Sequence, residues 1–180
     1  MSNNPVNQIA VGDQARRDGR LDDAYRAYQK AAETSHASLD EENLITALAG
    51  MGQIERDRGH LEQAQQRYAD ALALCRDQNF PLRTAHIARH LGDIYRVSGL
   101  AQQAEPLLTE AILLYRHNLD TKVLDLANAV RPLALLKTTQ GDADGARTLW
   151  QEAQVLYSAV NVEAGATECS AQLAKLLPSA

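Results

Sequence analysis

The chain has 180 residues, of which 45% are hydrophobic and 23% charged, so it is long and apolar enough to bury the core of one domain. The formal net charge of −5 argues against a nucleic-acid-binding protein or one attached to an anionic membrane surface. Aromatic residues make up only 4%, whereas small and straight-chain helix formers are abundant, and this composition predicts an all-α protein.

The sequence shows no sign of export or membrane insertion. No stretch approaches the roughly 18 to 20 apolar residues of a membrane span, and residues 1–5 lack the basic and apolar regions of a signal peptide. We therefore expect a cytoplasmic protein. Its two cysteines, Cys75 and Cys169, lie far apart within apolar helical patterns, so we expect buried thiols rather than a disulfide.

Four glycines divide the chain at nearly constant intervals of 40, 40 and 42 residues, namely Gly19, Gly59, Gly99 and Gly141. On both sides of each glycine, apolar residues recur at helical spacing, which predicts a helical hairpin with the glycine in its turn. The predicted repeats are residues 5–36, 38–78, 80–118 and 120–160, and together with a final helix they form a single domain of residues 1–180.

The repeats begin with different helix-start signals. Ser38 stands three residues before Glu41, as in a capping box, and is predicted to cap the second repeat. Pro81 suits the first turn of the third repeat, where its missing N–H has no intrahelical partner. Asn161 is predicted to cap a last helix, residues 161–177, which covers the apolar face that the fourth repeat leaves exposed.

Small and large residues alternate in register along the repeats. Seven residues before each turn glycine stands a small residue, which lets two helices approach closely: Gly12, Gly52, Gly92 and Ala134. Nine residues after it stands a large one, which is expected to fill the space between hairpins: Tyr28, Tyr68, Leu108 and Trp150. This register predicts the packing of the whole array.

The same positions resemble the signature of the tetratricopeptide repeat family. The resemblance is carried by Leu91-Gly92-x2-Tyr95, by Ala104-x3-Leu108, and by the pairs Ala24-x3-Tyr28, Ala64-x3-Tyr68 and Ala146-x3-Trp150. The chain departs from the signature where Gln8, Leu48, Ala88 and Val130 replace the tryptophan, and it lacks the terminal proline. Its longer period, with the phrases Ala104-Glu105-Pro106-Leu107 and Leu133-Ala134-Leu135-Leu136, is similar to the kinesin light chain subtype and its bacterial relatives.

This resemblance implies a right-handed α-solenoid of four helical hairpins plus a C-terminal capping helix, in which the first helix of each hairpin lines a concave groove. The predicted groove residues are Asp13, Arg16, Arg17, Gln53, Arg56, His86, Arg89, Asp93, Arg96, Asn128 and Arg131. The subtype often has an asparagine pair where this chain has Arg89-His90 and Arg131-Pro132, so its peptide specificity does not carry over.

The arginines of the groove support two interpretations. Guanidinium groups bind carboxylates in a bidentate manner, which predicts a partner protein that presents an acidic peptide. Alternatively, Arg16, Arg56 and Arg96 form salt bridges between repeats with Asp13, Asp57 and Asp93, as surface arginines often do. Both interpretations stay open at this point.

No motif in the sequence indicates catalysis. His86, His90 and Asp93 share one helical face and form a weak two-histidine, one-carboxylate pattern, but Arg89 beside them repels a cation, so we expect no metal and no cofactor. We therefore predict a non-catalytic protein-binding module, with a ligand- or peptide-sensing module of a bacterial signalling system as the alternative. The sequence leaves open whether two chains form a homodimer.

Overall fold

The computed structural model describes residues 4–176, and in this range the chain forms nine α-helices and no strand. They are α1 Pro5–Arg17, α2 Leu21–Ser38, α3 Glu41–Asp57, α4 Leu61–Asp77, α5 Pro81–Val97, α6 Ala101–His117, α7 Val123–Gln140, α8 Ala143–Ala159 and α9 Glu163–Lys175. Within the described residues no helix has the length and apolarity that crossing a membrane requires. The predicted all-α class is confirmed.

The four turn glycines connect α1 to α2, α3 to α4, α5 to α6 and α7 to α8. Their φ angles lie between 75° and 81°, in the left-handed region that glycine adopts without a Cβ penalty. No atom lies within 4 Å of where their Cβ would be, so conformation, and not space, favours glycine there. The predicted hairpin turns are confirmed.

Two of the three predicted helix starts are wrong. Ser38 is the last residue of α2, where its hydroxyl donates back to the Thr34 carbonyl, and the cap of α3 is Asp40, whose side chain accepts from the Asn43 N–H at 3.1 Å. Asn161 has a φ of 57° and belongs to the turn that follows α8, so Val162 occupies the N-cap of α9. Short polar side chains can end one helix as well as begin the next. Here Ser38 bonds to the helix that precedes it, and Asn161 belongs to the turn at the end of α8.

The third predicted start is confirmed, because Pro81 is the first residue of α5. The expectation for the cysteines is confirmed as well, since Cys75 and Cys169 are both buried and unbonded. The Cys169 side chain is fully buried on α9, which packs against α8. Residue 177 of the predicted last helix lies outside the described residues.

The hairpins stack in one row, as a solenoid. Each helix packs against the next one in the chain, and in addition the backbones of α1 and α3 and those of α5 and α7 lie close together, whereas those of the second helices do not. The first helices are therefore closer together and form the inner, concave side of the row. The row is least tight between α3 and α5, whose backbones do not approach each other closely. Side chains connect these two helices, namely Arg83 with Glu42 and Arg56 with His90.

The small and large residues meet as their register predicts. A methyl group built at Gly12 would lie 2.8 Å from the Tyr28 ring, and one built at Gly92 would lie 2.8 Å from Leu108. We call these positions the hairpin seam: Gly12 with Tyr28, Gly52 with Tyr68, Gly92 with Leu108, and Ala134 with Trp150. Tyr28 also lies against Gly50 of the next hairpin, and so fills the space between hairpins as expected.

Candidate binding groove

A cavity of about 510 Å³ opens on the concave side, at the place where the backbones of α3 and α5 do not approach each other closely. Its floor contains Ile45, Ala49 and Ile87, and the rings of Tyr68 and Tyr115 border it. Small residues at positions 49 and 50 of α3 create this space, because the same two positions in α5 carry an arginine and a histidine. We refer to it as the large cavity.

A second cavity of about 380 Å³ lies between α3, α5 and α7, and we refer to it as the small cavity. Its walls are mostly polar and include Arg56, Arg89, Asp93 and Arg131. The two cavities adjoin at His90, which lines the large cavity and contacts both Arg56 and Arg89 of the small one. Together they form a groove that runs along the first helices.

Of the eleven predicted site residues, nine line one of the two cavities and two lie outside both. Asp13, Arg16, Gln53 and His86 line the large cavity. Arg56, Arg89, Asp93, Asn128 and Arg131 line the small cavity. Arg17 and Arg96 line neither of them.

Three of the predicted arginines are paired with carboxylates. Arg16 binds Asp57 at 3.1 Å and so connects α1 to α3. Arg96 binds Asp93 at 2.8 Å within α5. Only the bond of Arg16 therefore connects two repeats as the second interpretation expected, whereas the bond of Arg96 stays within one helix.

Arg131 is paired with a residue that the sequence did not suggest. Its guanidinium donates to both carboxylate oxygens of Glu168 on α9, each at 2.7 Å. This bidentate bond connects α7 to the last helix. It leaves Arg131 less available to a ligand than its position in the small cavity suggests.

Of the remaining predicted arginines, Arg17 is exposed and donates to the Gln14 side chain at 2.8 Å, whereas Arg56 and Arg89 are half-buried. Among residues 4–176, no carboxylate lies within 4.0 Å of the Arg56 or the Arg89 guanidinium group. Arg89 Nη2 lies 2.8 Å from His90 Nε2, and its Nε is buried without a hydrogen-bond partner. Arg56 Nη1 lies 3.4 Å from His90 Nδ1. These two half-buried cations are therefore uncompensated within the described chain.

Hydroxyl groups of core tyrosines reach the groove and orient its polar residues. Tyr28 donates to Asp13 at 2.6 Å, and Tyr68 donates to Gln53 at 3.4 Å. Burial, followed by the bond to Asp13, raises the pKa of Tyr28 well above its usual value, so this hydroxyl stays protonated. The two residues of each pair are 15 positions apart in the sequence. This equal spacing is a signal of the pairing that the sequence analysis missed.

The two groove histidines are neutral at neutral pH. The His90 ring stacks on Tyr68 with centroids 5.3 Å apart, and His86 contacts it edge-on at 4.7 Å. His86 keeps a solvent-exposed face but is surrounded by protein on its other sides. This desolvation, reinforced by the charge of Arg89, lowers its pKa to about 4, and burial lowers the pKa of His90 well below 6.5.

Asp93 does not join the histidines as the weak metal pattern required, since it binds Arg96 instead. In the described part of the chain no group of three histidine, cysteine or acidic side chains is placed to hold a metal ion. The sequence also missed the connection between α6 and α7, whose residues 120–122 line the large cavity. There the Thr121 hydroxyl is buried without a partner.

Comparison with known proteins finds one matching sequence profile. Residues 6–77 match the sequence profile described as tetratricopeptide repeat. No curated protein sequence matches the chain. The kinesin light chain subtype stays a prediction.

Several solved structures are similar in fold. BtubC (BKLC) from P. vanneervenii has a TM-score of 0.73 and 18% identity, with 95% of this chain and 79% of that chain covered. The apo form of RapI has a TM-score of 0.82 and 11% identity, with 90% of this chain but only 58% of that chain covered. MamA has a TM-score of 0.65 and 19% identity, with 98% of this chain and 93% of that chain covered. At such identities the likeness shows the fold alone.

Proposed function

We propose that the chain is a non-catalytic protein-interaction module, because residues 6–77 match the tetratricopeptide repeat profile and the helical array is similar in fold to BtubC over 95% of this chain. Its ligand is an acidic peptide segment of a partner protein. The peptide lies in the groove formed by the large and small cavities.

The observation that carries this proposal is the cleft between α3 and α5. Ligand sites in proteins are concave, mostly apolar and lined by a few polar groups, with volumes of roughly 300 to 1,000 Å³. The large cavity has about 510 Å³, an apolar and aromatic floor, and a polar rim that includes Gln53 and Thr46. It therefore offers room for several side chains and hydrogen bonds for a peptide backbone.

The acidic character of the ligand is supported by Arg56 and Arg89. Charged groups that are partly buried are normally paired, and these two have no carboxylate among residues 4–176. An acidic ligand would supply the missing charge. Arg16, Arg96 and Arg131 hold carboxylates of the chain itself, and in this proposal they shape the groove and do not bind the peptide.

The absence of catalysis is supported by the environment of the histidines. In the described chain neither His86 nor His90 exchanges a hydrogen bond with a carboxylate, and both are neighbours of arginines. A histidine that acts as a general base is usually oriented by a further group and has a pKa near neutral pH. These two have neither property.

The test is to select peptides from a random phage-displayed library on the full chain and to measure their affinity by fluorescence polarisation. We expect acidic peptides. The double variant Arg56→Gln plus Arg89→Gln should bind them at least about tenfold more weakly, which corresponds to about 1.4 kcal/mol.

The matched control removes two positive charges from the second helices, with Arg26→Gln plus Arg67→Gln, and should bind like the wild type. Neither residue lines the large or the small cavity. Selection of peptides without acidic residues, or equal affinity of the two double variants, would contradict the proposal.

A sensing module is the second candidate function, and the less tight place in the row of first helices favours it. Because the backbones of α3 and α5 do not approach each other closely, a ligand in the large cavity could draw the two halves of the array together. Small-angle scattering with a selected peptide should then show a smaller radius of gyration. An unchanged radius of gyration at saturating peptide would contradict the sensing function and leave the interaction module as the proposed function.

A further inference from the structure

His90 is placed between Arg56 and Arg89, neither of which has a carboxylate within 4.0 Å among residues 4–176. Arg89 Nη2 lies 2.8 Å from His90 Nε2, and Arg56 Nη1 lies 3.4 Å from His90 Nδ1. A guanidinium group only donates hydrogen bonds, and a neutral imidazole has one acceptor nitrogen and one N–H. The shorter contact assigns the acceptor role to Nε2. The Nδ1–H group therefore faces a second donor, Arg56, without an acceptor between them.

The arginines that lower the pKa of His90 are, in order of effect, Arg89 from α5, Arg56 from α3 and Arg16 from α1, and the titratable ring of His86 acts in the same direction. Arg16 is itself paired with Asp57. Burial is the main cause of the low pKa of His90, and the field of these arginines lowers it further.

The remaining neighbours of His90 do not compensate this charge. Tyr68 from α4 stacks on the ring, and His86 contacts it edge-on. On the other side, Tyr115 from α6 faces the adjacent arginine, and Asp125 from α7 acts on His86. Among residues 4–176, neither Arg56 nor Arg89, the two cations that contact His90, is therefore paired with a carboxylate.

The same place offers hydrogen-bond donors that have no acceptor. Arg89 Nε is buried and unpartnered, and Arg56 makes only the long contact to a nitrogen that carries a hydrogen. Both arginines line the small cavity. An oxyanion there has enough lone pairs to accept from both guanidinium groups at once.

We propose that Arg56, Arg89 and His90 form the anion-binding centre of the groove, and that an acidic group binds there together with one proton taken up by His90. The anion replaces Nε2 of His90 as the acceptor for Arg89, which frees the lone pair of Nε2 for a proton from solvent. The resulting imidazolium donates its Nδ1–H to the anion. This inference rests on the proposed function, because the anion is an acidic group of the bound peptide.

The consequence is that affinity depends on pH. If a proton binds with the ligand, linkage requires affinity to increase as the pH falls, by up to about tenfold per pH unit. The increase extends over the interval between the pKa of His90 in the complex and its lower pKa in the unliganded protein. At alkaline pH the groove holds its acidic ligand more weakly.

Sulfate is a suitable probe, because it keeps both negative charges over the whole range in which histidines titrate. Sulfate affinity of the full chain is measured by NMR between about pH 5 and about pH 7.5, and the ring carbon-bound protons of His90 report its protonation. We expect tighter binding at lower pH, and His90 should become protonated as sulfate saturates the site.

His90→Gln should remove the pH dependence, and His117→Gln, at an exposed position at the end of α6 that lines neither cavity, should keep it. Arg56→Gln should weaken sulfate binding at every pH, whereas Arg67→Gln should not. The ring-proton titration in the wild type needs no variant and so decides the matter even if His90→Gln does not fold. Lack of sulfate binding, pH-independent affinity, or a neutral His90 at saturation would each overturn the inference.

The two proposals can fail separately. If selected acidic peptides bind through Arg56 and Arg89 while His90 stays neutral, proton uptake is refuted and the interaction module stands. If sulfate binds with proton uptake but no peptide binds, the anion-binding centre stands and the peptide-binding function is refuted.

Discussion

The hairpin seam and the groove are both built from repeated residues, but only the seam repeats its contacts. In the first three hairpins a glycine of the first helix lies against the large residue nine positions after the turn, with the same close approach each time. In the groove, Arg16, Arg56 and Arg96 occupy one equivalent position, yet they meet Asp57, His90 and Asp93 respectively. The same residue type thus has three different environments.

This difference follows from the kind of interaction. Close helix packing is set by the backbone separation, which is the same in each hairpin, so it demands a small residue at a fixed position. A long arginine side chain has many rotamers and selects among several neighbours at similar energy. We infer that the seam determines the fold, and that the uneven pairing of the groove determines where a ligand binds.

The largest effect on stability is expected when a large side chain of the hairpin seam is removed. Trp150 is fully buried and donates to Thr138 at 3.0 Å, so Trp150→Ala should lower the free energy of unfolding by roughly 3 to 5 kcal/mol. Urea denaturation measures this loss, and hydrogen exchange should locate it in α7 to α9. Leu113→Ala, at a position that is 46% exposed, is the control and should change stability by less than about 0.5 kcal/mol. Equal losses of stability in both variants would contradict the importance of the hairpin seam for the fold.

A smaller loss of stability is expected when a methyl group is added to a glycine of the hairpin seam. In Gly92→Ala the new methyl group would lie 2.8 Å from Cγ of Leu108, so a loss of about 1 to 3 kcal/mol is expected. In the background Leu108→Ala the clash is absent, and the same substitution should cost much less. A double-mutant cycle by urea denaturation measures the coupling, and additive effects would show that the two residues do not oppose each other.

The uneven pairing of the groove predicts opposite results for two arginines. Arg131→Gln breaks the partly exposed bond to Glu168 and should cost about 1 kcal/mol after solvent screening. Arg56→Gln removes a cation that faces another donor, so stability should stay unchanged or rise. The stability of both variants is measured by urea denaturation at low salt. A clear loss of stability in Arg56→Gln would contradict the absence of a stabilising partner for Arg56.

The smallest expected effect concerns the pH dependence of stability. The pKa of His86 is about 4 in the folded protein and near 6.5 when the chain is unfolded. Between these values the unfolded chain binds more protons, so the free energy of unfolding falls as the pH is lowered. The effect is modest because the His86 ring is partly exposed. His86→Gln should show a shallower decline over this range in urea denaturation, and identical slopes would refute the low pKa.

Much of the fold was predictable because its signals are local or strictly periodic. Gly19, Gly59, Gly99 and Gly141 occupy the turns, and the seam follows from positions at fixed offsets from them. Helix starts were less predictable, since Ser38 can bond to the helix before it as well as to the one after it.

One regular feature was present in the sequence but was not recognised. Arg76 binds Glu110 and Arg116 binds Glu152, so an equivalent ion pair connects the second helices of successive hairpins twice. The offsets of these residues from their turn glycines are the same in both cases. Pairs that join equivalent positions of neighbouring repeats could therefore have been found by the same periodicity that identified the seam.

The sequence by itself determined the number of hairpins, their turns and the packing of small against large residues, because these depend on a backbone geometry that every repeat shares. Only the tertiary structure decided that Arg131 binds Glu168 while Arg56 and Arg89 face His90. It also decided that the large cavity opens between α3 and α5. The physical reason is that these features depend on side chains from neighbouring helices, often more than 30 residues apart, and the periodicity that fixes the backbone does not fix which of them meet.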